Sequence, residues 1–226
     1  MQEKNKLFDP SVVDHTAVII HLVSESSPRK VFLMMVIISS IIATLGLLNN
    51  NLAIVIGAML VAPLLWPILG ISMGLLVRDF RMIKLAVISI FLALVLAIGT
   101  AMLITFLYIP LGATHSIFNY ANYGFMLPVS IAAGAAAAFA VSYTSIKETV
   151  AGVAITVALL PPIVSIGIGL GATNWDLLFD SVKIFAINLT GIITTTFFVF
   201  LALGFHKYTR SAETAAVKEE KILKNS

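Results

Sequence analysis

Residues 49–70 read NNNLAIVIGAMLVAPLLWPILG. The run is apolar enough to enter a bilayer and stays so to Val77, yet Pro63 and Pro67 stand near its middle. A proline inside a helix removes one backbone hydrogen bond and presses its ring against the carbonyl four residues back. In hydrocarbon no water replaces that bond, so the freed carbonyls must find other partners. A simple anchor gains nothing from this loss. The stretch therefore reads as a broken membrane helix whose break has a function.

The rest of the composition agrees. Of 226 residues, 59% are hydrophobic and 11% charged, with a mean hydropathy of +1.03. Soluble domains are about a quarter charged, so an all-α, polytopic membrane protein is expected. Cysteine is absent, which excludes disulfides, thiol nucleophiles and Cys-ligated metals. His15, His21, His115 and His206 are scattered without metal-ligand spacing. No metal or cofactor is expected. The net charge of +3 sits in short loops and tails, so nucleic acid is not an expected partner. The glycines of 167–171 follow no strand and precede no phosphate-binding lysine, so they read as close-packing positions. No catalytic triad is visible, and an enzyme is not expected. No cleavable leader is expected either, because the first apolar run, 17–23, is short and follows acidic as well as basic residues.

Six spans are expected, at 31–48, 52–77, 82–109, 126–141, 150–172 and 184–205, each near the roughly twenty residues that cross a bilayer core. Residues 1–30 form an N-terminal arm in which Pro10-Ser11 suits a helix start, with Val12, Ile19, Ile20 and Val23 on one side. Such a helix lies on the membrane surface; the alternative is a partly ordered arm. Residues 110–125 form an external loop without Lys, Arg, Asp or Glu, and its Tyr120, Tyr123 and Phe125 suit a headgroup-level belt. Residues 174–183 form a loop and 206–226 a charged cytoplasmic tail, a solvated helix or a frayed end, with Glu220 and Lys224 at helical pair spacing. With both termini in the cytoplasm of an inner membrane, only Lys183 of the 14 Lys and Arg residues falls outside, as the positive-inside bias requires. A re-entrant second segment would invert every later loop. The charge distribution therefore favours a second segment that crosses.

A shift of ninety-five positions lays the second span on the fifth. Gly57 then meets Gly152, Pro67 meets Pro162, Ile71 meets Ile166 and Gly74 meets Gly169; Leu64, Leu65, Ile68 and Leu75 also meet identical residues. Half-repeats 31–109 and 126–205 each hold three spans, an odd number, so the second half enters from the opposite face. This inverted-repeat arrangement is that of many transporters, whose interrupted helices build a binding site near the midplane.

The expected site is the backbone of the two breaks. Pro63 and Pro67 withhold donors from the Met59 and Pro63 carbonyls, and Pro161 and Pro162 from those of Val157 and Ala158. Because Pro161 precedes a proline, the fifth helix is expected to stop near Leu160 and restart after Pro162. Carbonyls at a helix end attract cations and amides at a restart attract anions. No ionisable side chain lies deep in a span, which weakens proton coupling through a buried carboxylate. Ser165 and Asn188 complete the candidate lining, Asn188 being the most polar and expected to face protein. Most other hydroxyls, such as Ser39, Ser40 and Thr44, are expected to bond their own helix. Small residues at 134–138 read as a close-packing face, Glu148 as a dipole partner of the fifth helix, and Asp79 as a loop ion pair with Arg78.

Residues 43–49 (ATLGLLN) with 55–70 (VIGAMLVAPLLWPILG), followed by 151–162 (AGVAITVALLPP), resemble the prokaryotic membrane family catalogued as domain of unknown function 389, over roughly 32–205. The resemblance implies a bacterial or archaeal inner-membrane protein with no established activity, and it supplies no catalytic residues. Many members of that family carry a larger soluble N-terminal domain where this chain has residues 1–30.

The function expected first is a transporter-like or channel-like pathway for a small solute or ion. A structural or signalling module, whose arm and tail engage a partner, stands second, and a lipid-handling protein third. The expected partners are the bilayer, a small solute or ion, and further copies of the chain in a homo-oligomer.

Overall fold

The structure, a computed structural model, describes residues 13–108, 126–143 and 148–224, with side chains left aside at 148–158, 209–212 and 224. The expected features of residues 1–12, of the 110–125 loop and of Lys147 lie outside the described residues, as do the side chains of Glu148, Val157 and Ala158. Described residues form α1 (His15–Glu25), α2 (Lys30–Leu48), α3 (Leu52–Val61), α4 (Leu65–Val77), α5 (Phe80–Tyr108), α6 (Met126–Ser142), α7 (Glu148–Gly171) and α8 (Trp175–Ala202). A 3-10 turn, Phe205–Lys207, leads to α9 (Thr209–Lys224). Among the described residues there is no strand.

Three of these helices, α2, α5 and α8, are long and apolar enough to cross a membrane, and a fourth span results if α3 and α4 count as one bent pair. The side-chain distribution of α5 is compatible with a hydrocarbon surround. Beyond the buried Met82 and Leu85 of its first turns, its buried face is small (Ala86, Ser89, Ala93, Ala97, Ala101 and Thr105), while Phe91, Val95, Leu103 and Phe106 point outward and are 53–69% exposed. A water-soluble helix buries its large apolar residues. In lipid, burying them gains little, and association falls to small residues that let backbones approach. The small face of α6 behaves as expected: Ala133, Ala137 and Ala138 are buried. A Cβ added to Gly134 would lie 2.9 Å from the Ile192 carbonyl of α8.

Three helix junctions share one construction. The N–H of Asn51 donates to the Gly46 carbonyl at 2.8 Å, that of Asp79 to Gly74 at 3.0 Å, and that of Asn174 to Gly169 at 2.8 Å. The residue before each cap is left-handed, with φ of 50° at Asn50, 57° at Arg78 and 53° at Thr173. This six-residue loop closure satisfies a carbonyl at the helix end. The capping side chain then accepts from the next helix, Asn51 Oδ1 from the Ile54 amide, Asp79 Oδ1 from those of Arg81 and Met82, and Asn174 Oδ1 from that of Leu177. Each glycine is where the following helix turns back against its predecessor. A Cβ there would meet Val55 at 2.8 Å, Ile83 at 2.7 Å and Leu178 at 3.0 Å respectively. The second and third junctions stand ninety-five residues apart at every one of these positions. Asp79 thus caps α5 and does not form the expected ion pair with Arg78.

The contacts between the halves follow the same offset. Ser72 Oγ on α4 donates to the Ile193 carbonyl of α8 at 3.2 Å. Its counterpart on α7 is Gly167, where a Cβ would lie 2.5 Å from the Ile98 carbonyl of α5. So α4 crosses α8 as α7 crosses α5.

One expectation is corrected and two gain detail. The α8 helix begins at Trp175, so 174–183 is not a loop: Asn174 caps it, and Asp180 and Lys183 pair across one turn at 3.1 Å. The described part of the arm is folded onto the rest of the chain. Helix α1 starts at His15 under an Asp14 cap and buries Val18, Ile19, Leu22 and Val23, leaving Ile20 52% exposed. The tail is helical, as one of its two readings held, and it is partly buried. Helix α9 packs on α1 and α5, burying Ala216 and Glu219. His15 ties the two ends together, its Nε2 donating to the Leu203 carbonyl at 3.0 Å while its ring stacks on Tyr208 at 4.5 Å.

Candidate functional site

The break in the second apolar segment falls between Val61 and Leu65, where the chain bends by 54°. Its cause is local. A residue before proline is pushed out of the helical region, and Ala62 accordingly has φ −72° and ψ 122°. Pro63 has no N–H for the Met59 carbonyl. Leu64 returns to helical angles but offers no capping side chain. Pro67 does not break a helix as expected. It is the third residue of α4, where no intrahelical donor is required.

Two kinds of backbone group are therefore freed at one place. The last carbonyls of α3, at Met59, Leu60 and Val61, have no intrahelical donors, and the first amides of α4, at Leu65 and Trp66, have no intrahelical acceptors. Partial negative and partial positive helix ends face the same bend. Apolar side chains pack around it, with Ala58, Met59, Leu64 and Leu65 buried and Pro63 half-buried.

The α1–α2 corner sits directly on this bend. Ser26 Oγ donates to the Trp66 carbonyl at 2.8 Å, and Ser89 Oγ of α5 donates to the Ser26 carbonyl at 2.6 Å. Ser26 presses on Gly70, leaving no room for a Cβ. The His21 ring meets Trp66 edge-on at 4.7 Å. None of Ser26, Ser89, His21 and Trp66 stood among the expected site residues. The sequence offered one trace of them, Gly70 one turn beyond Trp66, but no way to know what approaches it.

The expected second break is absent. Helix α7 runs unbroken from Glu148 to Gly171 with Pro161 and Pro162 inside it. The preference against a helix before Pro162 is overridden because α7 packs against α8, α5 and α6 and also meets α2 and α3. Around the prolines Leu159, Leu160, Ile163 and Val164 are buried. Tertiary packing of this kind holds prolines within membrane helices.

Helices α3 and α4 both touch α7, and Pro67 on α4 and Pro162 on α7 are both buried. Ser165 is buried. Asn188 is placed elsewhere. It faces protein as expected, 2% exposed, and accepts from Ser130 Oγ at 2.6 Å, joining α8 to α6. Hydroxyls of Ser39, Ser40, Thr44, Thr105 and Ser142 donate to carbonyls of their own helices, as expected.

Two cavities lie outside the break. One of about 590 Å³ separates α1 from α9. Another, of about 310 Å³, is lined by Arg78, Asp79, Phe80, Arg81 and Glu213 where α9 covers the α4–α5 junction. Among the described residues no group of three His, Asp or Glu is placed to hold a metal ion.

An uncharacterized protein of Methanocaldococcus jannaschii is 27% identical to this chain over 178 residues, covering 78% of the chain and 55% of the relative. The chain thus spans about half the length of that relative. No solved structure matches. The profile of the domain of unknown function 389 matches residues 59–194, from the last turn of α3 to the middle of α8. The chain belongs to that family.

Proposed function

We propose that this chain is a six-span membrane protein of two inverted three-helix halves and that a small solute or ion crosses it at the α3–α4 break. The observation that carries the reading is the helix break inside an apolar bundle, packed against α7. Carbonyls at the end of α3 and amides at the start of α4 supply both signs of partial charge without any ionised side chain. Interrupted helices of this kind host substrates and ions in transporters built from inverted repeats. The repeat is supported by the matched junctions at Arg78 and Thr173 and by the reciprocal contacts of Ser72 and Gly167. The positive-inside bias puts both termini in the cytoplasm of an inner membrane. Coordination by backbone favours facilitated passage over proton coupling through a buried acid.

The test is flux into liposomes across a panel of ions and small solutes. Pro63→Ala restores the donor that the Met59 carbonyl lacks and straightens the segment, so flux falls about tenfold, the equivalent of one hydrogen bond of about 1.4 kcal/mol at the site. Pro67→Ala, in the first turn of α4, leaves flux unchanged. Equal flux in wild type and Pro63→Ala would refute the break as the pathway.

A second reading, a signalling module, is favoured by the seating of α1 on the break through Ser26 and His21. Absence of flux for every solute would put that reading first.

A further inference from the structure

A cavity of about 590 Å³ lies between α1 and α9. Its polar wall holds two cations in different states. Arg29 donates through Nε and Nη2 to Glu219 Oε1, at 3.1 and 2.7 Å, and through Nη2 to Ser24 Oγ at 2.7 Å. A guanidinium has five N–H donors, so neither hydrogen of Nη1 has a partner among the described residues, and the side chain is 42% exposed. Lys218, one residue before Glu219, makes no hydrogen bond or ion pair with the described residues. Glu219 neutralises Arg29 alone, which leaves the wall positive by one charge. The lining also has apolar residues, Val23, which is buried, and Ile20 and Ile222, which are 52% and 45% exposed.

The groove also has a fixed level. Arg29 immediately precedes α2, whose outward face begins with Val31, 70% exposed, and Met34, 61% exposed. On the membrane reading above, on which this inference rests, the two cations stand at headgroup depth and the isoleucines beside the first acyl carbons.

We propose that this groove is a binding site for one anionic phospholipid, its phosphate held by Arg29 Nη1 and Lys218 and an acyl chain laid over Ile20 and Ile222. Arg is suited to phosphate oxygens because its donors diverge in a plane, and Lys supplies a point charge. An anionic lipid matches both the unpaired charge and the exposed isoleucines. A soluble anion would leave the isoleucines uncovered, and a neutral lipid would leave Lys218 unmatched.

The experiment is native mass spectrometry of the full chain released from detergent micelles, with phosphatidylglycerol or phosphatidylcholine added at equal concentration. Wild type retains phosphatidylglycerol about fivefold better than phosphatidylcholine, the weight of one basic residue at an anionic surface. Lys218→Gln abolishes the preference, and Arg29→Gln lowers it in the same direction. Lys183→Gln, on α8, keeps it. A melting curve on each variant in detergent separates loss of binding from loss of fold. Equal retention of the two lipids, or displacement of phosphatidylglycerol by inorganic phosphate, would overturn the proposal. So would a dimer without lipid that Ile222→Glu dissociates, since the groove would then hold a second copy of the chain. A chain that stays monodisperse in water without detergent would refute the membrane reading itself, and with it the level assigned to the groove.

Discussion

Gly70→Ala measures how tightly the α1–α2 corner is locked to the break. An alanine Cβ at this position would overlap Ser26 Oγ, and it would stand 2.9 Å from Ser26 Cβ and 3.3 Å from Ala86 Cβ. Ser26 must retreat, because the neighbour on the other side is α5. Retreat breaks the Ser26–Trp66 bond of 2.8 Å and strains the Ser89–Ser26 bond of 2.6 Å. Losing the Ser26–Trp66 bond costs about 1 kcal/mol, since the Trp66 carbonyl keeps its helical donor, and forcing an extra carbon into a filled site costs about 1–3 kcal/mol. Against this, alanine is favoured over glycine inside a helix by about 1 kcal/mol. The net expectation is a destabilisation of about 1–3 kcal/mol. In a Ser26→Gly background the obstacle is gone and only the propensity remains, so the same Gly70→Ala change stabilises by up to about 1 kcal/mol. Unfolding in mixed detergent micelles gives all four corners of this double-mutant cycle. A Gly70→Ala effect of the same sign and size in both backgrounds would refute the lock.

Thr173 is a β-branched residue at φ 53°, so Thr173→Gly stabilises the protein by about 1 kcal/mol, read as a higher unfolding midpoint; a lower midpoint would show the left-handed turn to be misplaced. Gly169→Ala moves stability the other way, because the new Cβ meets Leu178 N and the Asn174 carbonyl at 3.0 and 3.1 Å. Arg29→Ala costs more than Glu219→Ala by about 1 kcal/mol, since it strands a carboxylate 6% exposed, whereas the reverse change leaves an arginine 42% exposed. The two unfolding midpoints in the opposite order would contradict that burial.

Where the chain forms a long apolar helix, its bounds were legible. The third span, expected at 82–109, is α5 at Phe80–Tyr108, because Asp79 caps its start and the apolar run after Lys84 is uninterrupted. The break at Pro63 was legible for a local reason, the constraint on Ala62. The run at Pro161 and Pro162 carries an equally strong local signal and stays helical, because α7 is held from several sides and no residue of 151–162 says so. The start of α8 was missed because Asp176, Asp180 and Lys183 look like a loop. They are the exposed side of a helix that continues past the apolar layer. The seating of α1 and α9 was beyond local reading altogether. It depends on His15 meeting Leu203, 188 residues away, and on Arg29 meeting Glu219, 190 residues away. Ser26, His21 and Ser89 belong to the candidate site through the same long-range packing.

Whether the bent pair α3–α4 traverses the bilayer is decided most directly by labelling. The chain has no cysteine of its own, so Asn50→Cys, before α3, and Lys84→Cys, after α4, can each carry the sole thiol. In sealed, oriented vesicles, a membrane-impermeant maleimide reaches one of these from each face if the segment crosses with its break on the way, and Lys183→Cys then labels from the same face as Asn50→Cys. Labelling of Asn50→Cys and Lys84→Cys from one and the same face would make α3–α4 a re-entrant hairpin, and the inverted six-span arrangement would fall.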